Sequence, residues 1–248
     1  MSVGVPGALL RLAFLLFPLL CALLPALAAA ASFDCAKAGA PVERLVCKSA
    51  ALGTLDEELA AAYKAAFEAS ADKDPLVTDQ SRWLRLRDRC RNEACVQEAY
   101  RNRLGVLRAW HEDAAANAPV YGRYQLTRGN AVYNPDTKDW DPTRSTDCMT
   151  LEPDRPGTVR FAINLVQING HSCWLDGRMK REGASLTYLP DPKEPELKDC
   201  RFSMRLKRNT IELSDPDGAC RRYACGARAS IERTAFLRTA RDKGICRL

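Results

Sequence analysis

Trp83-Leu84-Arg85-Leu86-Arg87-Asp88-Arg89-Cys90-Arg91-Asn92-Glu93-Ala94-Cys95-Val96 is the stretch on which the fold turns. In one unbroken helix, residues five apart have Cα atoms roughly 8 to 9 Å apart, beyond the reach of a disulfide. Either the helix breaks between Cys90 and Cys95 or the two do not pair. Asn92 favours the break, because its side chain caps helix starts well. Two helices are therefore expected, from about Asp79 to Cys90 and from about Cys95 to Ala115, with a Cys90–Cys95 bridge between them and Cys35 left to pair with Cys47. Val96, Tyr100, Leu104, Leu107 and Trp110 form the inner stripe of the later helix. Upstream, Thr54 and Glu57 have capping-box spacing, so another helix is expected to begin at Thr54. Leu55, Leu59, Tyr63 and Phe67 would share its inner face, and Pro75 would end it. Three modest helices over ~85 residues bury little apolar area, so disulfides of ~2 to 4 kcal/mol each matter to such a unit.

Outward from this stretch, the first residues read as a secretory leader, with Arg11 ahead of an apolar run from Leu12 to Leu27. Pro18 and Pro25 interrupt the run, which argues against a membrane-spanning anchor. The small residues before Ser32 place cleavage near that serine, giving a signal peptide at 1–31 and a periplasmic or secreted protein. Bulky Leu20 before Cys21 argues against lipidation. Loss of the leader leaves ten of the eleven cysteines in an oxidising compartment, the combination expected of a disulfide framework. Cys35, Cys47, Cys90 and Cys95 fall in the first part. Cys148, Cys173, Cys200, Cys220, Cys225 and Cys246 fall in the second, where fifteen pairings are open.

Composition divides the remainder at Ala114-Ala115-Ala116-Asn117-Ala118-Pro119. Residues 32–116 hold 13 basic against 14 acidic side chains, and residues 117–248 hold 23 against 17, a net of +6. In the second part the period becomes two. Tyr124 and Leu126; Phe161, Ile163 and Leu165; Phe202, Met204 and Leu206; and Ile211 and Leu213 alternate with polar or small neighbours, as half-buried strands do. Turns are expected at Arg128-Gly129-Asn130, Asn169-Gly170, Asp176-Gly177, Arg208-Asn209 and Asp215-Pro216-Asp217-Gly218. The fold class is α+β: a disulfide-linked helical hairpin or bundle at 32–116, then a small basic, cysteine-rich antiparallel all-β domain at 117–248.

Phe33-Asp34-Cys35, Glu43, Cys47, Leu55-Asp56, Tyr63, Trp83, Arg87-Asp88, Cys90, Cys95, Tyr100, Arg103 and Leu107 together resemble the LprI-like family. The resemblance covers roughly a third of the chain. It implies a periplasmic or surface helical module, named for a mycobacterial lipoprotein that inhibits lysozyme. Asp56, Tyr63, Trp83, Arg87, Asp88, Tyr100 and Arg103 would then be family-motif residues that hold the module together.

Catalysis finds little foothold, so no enzyme is expected. Only His111 and His171 are present, and nucleophile-elbow, zinc-protease and phosphate-loop patterns are missing. Ser70-Ala71-Asp72-Lys73 has the Ser-x-x-Lys spacing without its partner segments, which reads as chance. No metal or other cofactor is expected. The run Arg82, Arg85, Arg87, Arg89 and Arg91 spreads around a helix and reads as a solvated face, not a nucleic-acid contact. Lysozyme, or another envelope protein, is the partner the resemblance implies. Lysozymes are strongly cationic, so docking is expected on the first part, near Asp56, Glu57 and Glu58 or Asp72 and Asp74, away from the +6 second part. An adaptor that holds anionic envelope polymers on its basic half is the alternative. Asp136, Asp139, Asp141 and Asp147 are read as an acidic loop around Trp140, where the indole offers a stacking surface.

Overall fold

The computed structural model describes residues 31–239 and Cys246. The leader reading, with Cys21, lies outside the described residues up to residue 30.

Four helices come first: α1 Pro41–Lys48, α2 Ala50–Ala69, α3 Asp74–Arg87 and α4 Glu93–Arg108. Glu43, in the first turn of α1, accepts from the backbone N–H groups of Gly39 and Ala40 at 2.8 Å. This closes the start of a helix that the sequence reading passed over. The Cys35–Cys47 disulfide ties the preceding turn to it.

Helix α2 begins four residues before the expected Thr54. Ser49 supplies the cap, accepting from Leu52 N, and the Thr54 hydroxyl bonds back to the Ala50 carbonyl at 3.1 Å. The deepest residues of α2 are Leu52, Asp56, Leu59 and Ala66, whereas Leu55, Tyr63 and Phe67 are half-buried. A strict spacing of four drifts about 40° per step around a helix of 3.6 residues per turn, so only a mix of threes and fours stays on the buried side.

Pro75 opens α3 instead of only closing α2, because proline in a first turn forfeits no helical hydrogen bond. Asn92 does cap α4, accepting from Cys95 N at 3.0 Å. The break brings Cys90 and Cys95 to a Cα separation of 5.5 Å, and they are bonded. Helix α4 stops at Arg108, short of the expected Ala115. The chain is drawn off to the sheet there, with Ala114 N donating to the Leu206 carbonyl at 2.9 Å and Asp113 pairing with Arg205 and Lys207.

The sheet is a meander of eight strands, each antiparallel to the next: β1 Gly122–Asn134, β2 Asp139–Pro153, β3 Thr158–Val166, β4 Ser172–Glu182, β5 Ser185–Leu189, β6 Ser203–Leu206, β7 Thr210–Ser214 and β8 Ala235–Leu237. Alternate residues fill one core, among them Tyr124, Leu126, Met149, Leu151, Phe161, Ile163, Leu165, Met204, Leu206, Ile211 and Leu213. The sheet curls until β8 returns to β1, where Arg128 reaches the Ala235 carbonyl at 3.4 Å. Disulfides Cys148–Cys246, Cys173–Cys225 and Cys200–Cys220 brace it.

Turns form at Asn169-Gly170, Arg208-Asn209 and Asp215–Gly218 as read, but two expected turns are strand. Arg128-Gly129-Asn130 pairs with Ser145, Arg144 and Thr143 inside the β1–β2 hairpin. Asp176-Gly177 lies within β4 opposite Ala162 and Phe161. Gly177 has φ 142°, and a Cβ there would stand 2.9 Å from the Tyr188 ring, so the glycine serves a close approach and not a turn. The residues read as an acidic loop are mostly strand as well. Asp139, Asp141 and Asp147 lie on β2, with Asp147 buried, and only Asp136 sits in the hairpin turn.

Candidate functional site

The quoted motif residues converge at the heart of the helices. The buried Asp56 carboxylate on α2 accepts the Tyr100 hydroxyl of α4 at 2.7 Å, and its other oxygen accepts the backbone N–H and hydroxyl of Ser32 at 2.8 and 2.6 Å. Arg87 donates to the Tyr100 oxygen at 3.4 Å and to Asp88 at 2.7 and 3.0 Å. Trp83 meets Tyr100 edge-on at 5.5 Å between centroids. The Arg103 guanidinium lies over Trp83 and Trp110 and pairs with Asp79 at 2.5 Å. Burial, and next the hydrogen bond to Asp56, push the Tyr100 phenol well above its ordinary range. Burial also pushes the half-buried Tyr63 phenol up, against the pull of Arg103. Polar groups so enclosed are held chiefly by one another, although Arg103 Nη2 is buried with no hydrogen-bond partner among the described residues.

The other carboxylates expected to face a partner are largely engaged too. Asp72 accepts from Arg128 of β1 at 2.5 and 2.8 Å and from Ala235 N of β8, and Asp74 accepts from Arg128 at 2.7 Å. Asp147 takes the third side of the same guanidinium at 2.5 Å. Burial works against the Arg128 charge, but Asp72 and Asp147 outweigh it and hold the guanidinium above its usual range. This cluster clasps α3 to the sheet. Glu58 pairs with Arg108 at 3.2 Å, and Glu57 is exposed. Trp140 stands exposed near the β1–β2 turn, edge-on to Tyr133. The Ser-x-x-Lys run links α2 to α3: Ser70 donates to the Ala66 carbonyl, and Lys73 donates to the carbonyls of Phe67 and Ser70.

A groove of about 640 Å³ lies open on the outer face of the sheet. Its floor follows the strand register, one row being Thr150, Ala162 and Asp176 and the next Glu152, Arg160, Arg178 and Leu189. Ala162 and Gly177 leave the hollow, and the segment from Pro190 to Glu194 forms a wall. Arg160 pairs with Glu152 at 3.3 Å and Arg178 with Asp154 at 3.1 Å. Asp176, Asp191 and Glu194 form no ion pair among the described residues. Their field is visible at Tyr188, whose phenol is pushed up to about 12, first by burial and then by Glu194, Asp176 and Asp191.

A second hollow of about 400 Å³ adjoins the groove, sharing Asp176 and Glu194 and adding Glu196, Trp174 and Tyr223. Trp174 is 48% and Tyr223 57% exposed, and the Trp174 indole N–H donates to Asp176 at 3.2 Å. Sequence reading missed this surface. The carboxylates come from strands and a loop that only register brings together, in a half whose net charge is positive. Among the described residues, no group of three or more His, Cys, Asp or Glu side chains is placed to hold a metal ion. No described helix is long and apolar enough to cross a membrane.

These features define a disulfide-braced α+β protein of the kind expected outside the reducing cytoplasm. Over 93 residues the chain is 41% identical to Lipoprotein LprI of Mycobacterium tuberculosis and of Mycobacterium bovis, a match covering 36% of this chain and 46% of each relative. It is thus related to the LprI-like family through that stretch. The chain spans about half the length of the curated relatives it matches. No family model and no solved structure matches it.

Proposed function

We propose that this chain is an exported envelope protein that works by binding, without a covalent step, and that its partner is a lysozyme-type muramidase whose cleft it occludes. The acidic groove beside Trp174 and Tyr223 is the observation that carries this reading. A net of +6 on residues 117–248 repels a cationic lysozyme at long range. Asp176, Asp191 and Glu194, which form no ion pair among the described residues, reverse that sign locally, where register and orientation are set. Exposed aromatic rings beside them are the side chains that most often anchor interfaces. The carboxylates first expected to dock, Asp56, Asp72 and Asp74, are committed to Tyr100, Ser32 and Arg128, which favours the sheet over the helices as the docking face. The relationship to LprI supports an envelope role.

A turbidity assay with purified mature protein tests this. Inhibition of at least one of the chicken-type, goose-type or invertebrate-type lysozymes is expected. If all three stay fully active at saturating protein, inhibition is wrong. The net of +6 on residues 117–248 favours a second reading, an adaptor that holds anionic envelope polymers on its basic half. Salt-sensitive recovery of wall material or lipopolysaccharide from envelope extract supports that reading instead.

A further inference from the structure

Asp56 is 4% exposed, and among the described residues its carboxylate meets three donors: the Tyr100 hydroxyl, the Ser32 hydroxyl and the Ser32 backbone nitrogen. None of the three is a cation in the uncleaved chain. Arg87 stands one step away, touching the Tyr100 oxygen at 3.4 Å while held by Asp88. A buried carboxylate without a charged partner is costly to a fold. The nitrogen that stands 2.8 Å from Asp56 belongs to the residue near which the sequence reading places the end of the leader.

We propose that cleavage of the Ala31–Ser32 bond completes this site, the new α-ammonium of Ser32 becoming the ion-pair partner of buried Asp56. The inference rests on the exported reading. Hydrolysis by a leader-removing endopeptidase consumes one water, breaks the Ala31 C–N bond, leaves a carboxylate on Ala31 and frees a Ser32 amine, which is protonated to the ammonium. The hydroxyl of the same residue already grips the Asp56 oxygen at 2.6 Å, so the amine has little freedom to leave and the pair forms without rearrangement. Among the described residues, cleavage gives up the partly buried methyl group of Ala31 at the edge of the helical core. Among the described residues, the ammonium faces the Asp56 carboxylate of α2, whose other oxygen holds the Tyr100 hydroxyl of α4 and, through that hydroxyl, Arg87 of α3. Leader removal thereby tightens the junction of three helices, and the identity of the first mature residue becomes part of the fold.

Intact mass and N-terminal sequencing of protein recovered after export test the position, and acylation of the α-amine at pH 7 tests the pairing. A chain beginning at Ser32 is expected. Its folded α-amine should react at least roughly tenfold more slowly than in the same protein unfolded in urea, the factor for a one-unit rise in amine pKa. A form that keeps Ala31 should lose that protection and melt at a lower temperature. Asp56→Asn, checked for folding by circular dichroism, should lose the protection too. A mature chain that starts elsewhere, Cys21 included, overturns the proposal. So does a Ser32 amine as reactive folded as unfolded, or an Ala31-extended form equally protected. None of these readouts depends on lysozyme, so failure of muramidase inhibition leaves them standing and their failure leaves the groove untouched.

Discussion

Replacing Arg128 by methionine keeps an unbranched apolar stem and deletes the charge that three carboxylates share. The Arg128 side chain is 15% exposed, Asp147 2%, Asp72 8% and Asp74 50%. The half-exposed Asp74 contact is screened and contributes little, about 0 to 1 kcal/mol. Asp72 and Asp147 would be left buried and uncompensated, a situation that costs about 3 to 5 kcal/mol. For a chain of this size each kcal/mol moves the melting temperature by roughly 2 to 4 °C, so a fall of about 6 to 20 °C at pH 7 is expected.

The same substitution changes the pH dependence. Burial already pushes the Asp147 carboxyl above its usual range, against the pull of Arg128, and without the guanidinium it rises further. A carboxyl raised in the folded state favours folding below its unfolded pKa and loses that contribution as pH climbs through the folded value. The deficit of the variant should therefore be largest at neutral pH and shrink towards pH 4. Melting curves of both proteins at pH 7 and pH 4, disulfides intact, measure this. A pH 7 difference under about 2 °C, or an equal difference at both pH values, refutes the clasp.

Cys148→Ala combined with Cys246→Ala opens a crosslink of sequence separation 98 and should cost about 4 to 5 kcal/mol in urea unfolding. Gly177→Ala should lower stability by about 1 to 3 kcal/mol, through positive φ and the clash with Tyr188, with a changed near-ultraviolet signal from that ring. Ultraviolet titration should find one tyrosine, Tyr188, ionising near 12. Its stabilising contribution is intact below about pH 10 and lost as pH rises through 12, and Asp176→Asn with Glu194→Gln should bring the value down. Tyr100→Phe leaves Asp56 short of a donor and should cost about 1.5 to 3 kcal/mol by thermal melting.

The helices were legible where a local signal had a single consequence. Asn92 between Cys90 and Cys95 fixed a break and a bridge because cap and disulfide geometry each allow few arrangements. Thr54 misled because Ser49, five residues earlier and followed by good helix formers, offered an equally sound cap. Strands with one apolar face, such as Phe161-Ala162-Ile163-Asn164-Leu165, announced themselves by alternation. Strand β2 did not, because its residues from Asp139 to Thr146 pair in a hairpin beyond the core and carry polar groups on both faces. Gly129 and Gly177 read as turns because a glycine's local signal does not say whether it serves a bend or a close approach. The groove was beyond reach for a related reason. Thr150, Ala162 and Asp176 become neighbours only through strand pairing, and net charge averages away the acidic patch that register creates.

Binding of a cationic lysozyme to three forms of the mature protein, followed by titration calorimetry at low and high salt, tests the functional account most directly. Wild type and Glu57→Gln/Glu58→Gln, which alters the exposed helical face, should bind alike and weaken with salt. Asp176→Asn/Asp191→Asn/Glu194→Gln should bind at least about tenfold more weakly, close to 1.4 kcal/mol. Equal binding by all three forms, or loss confined to the helical variant, would contradict a docking site in the groove.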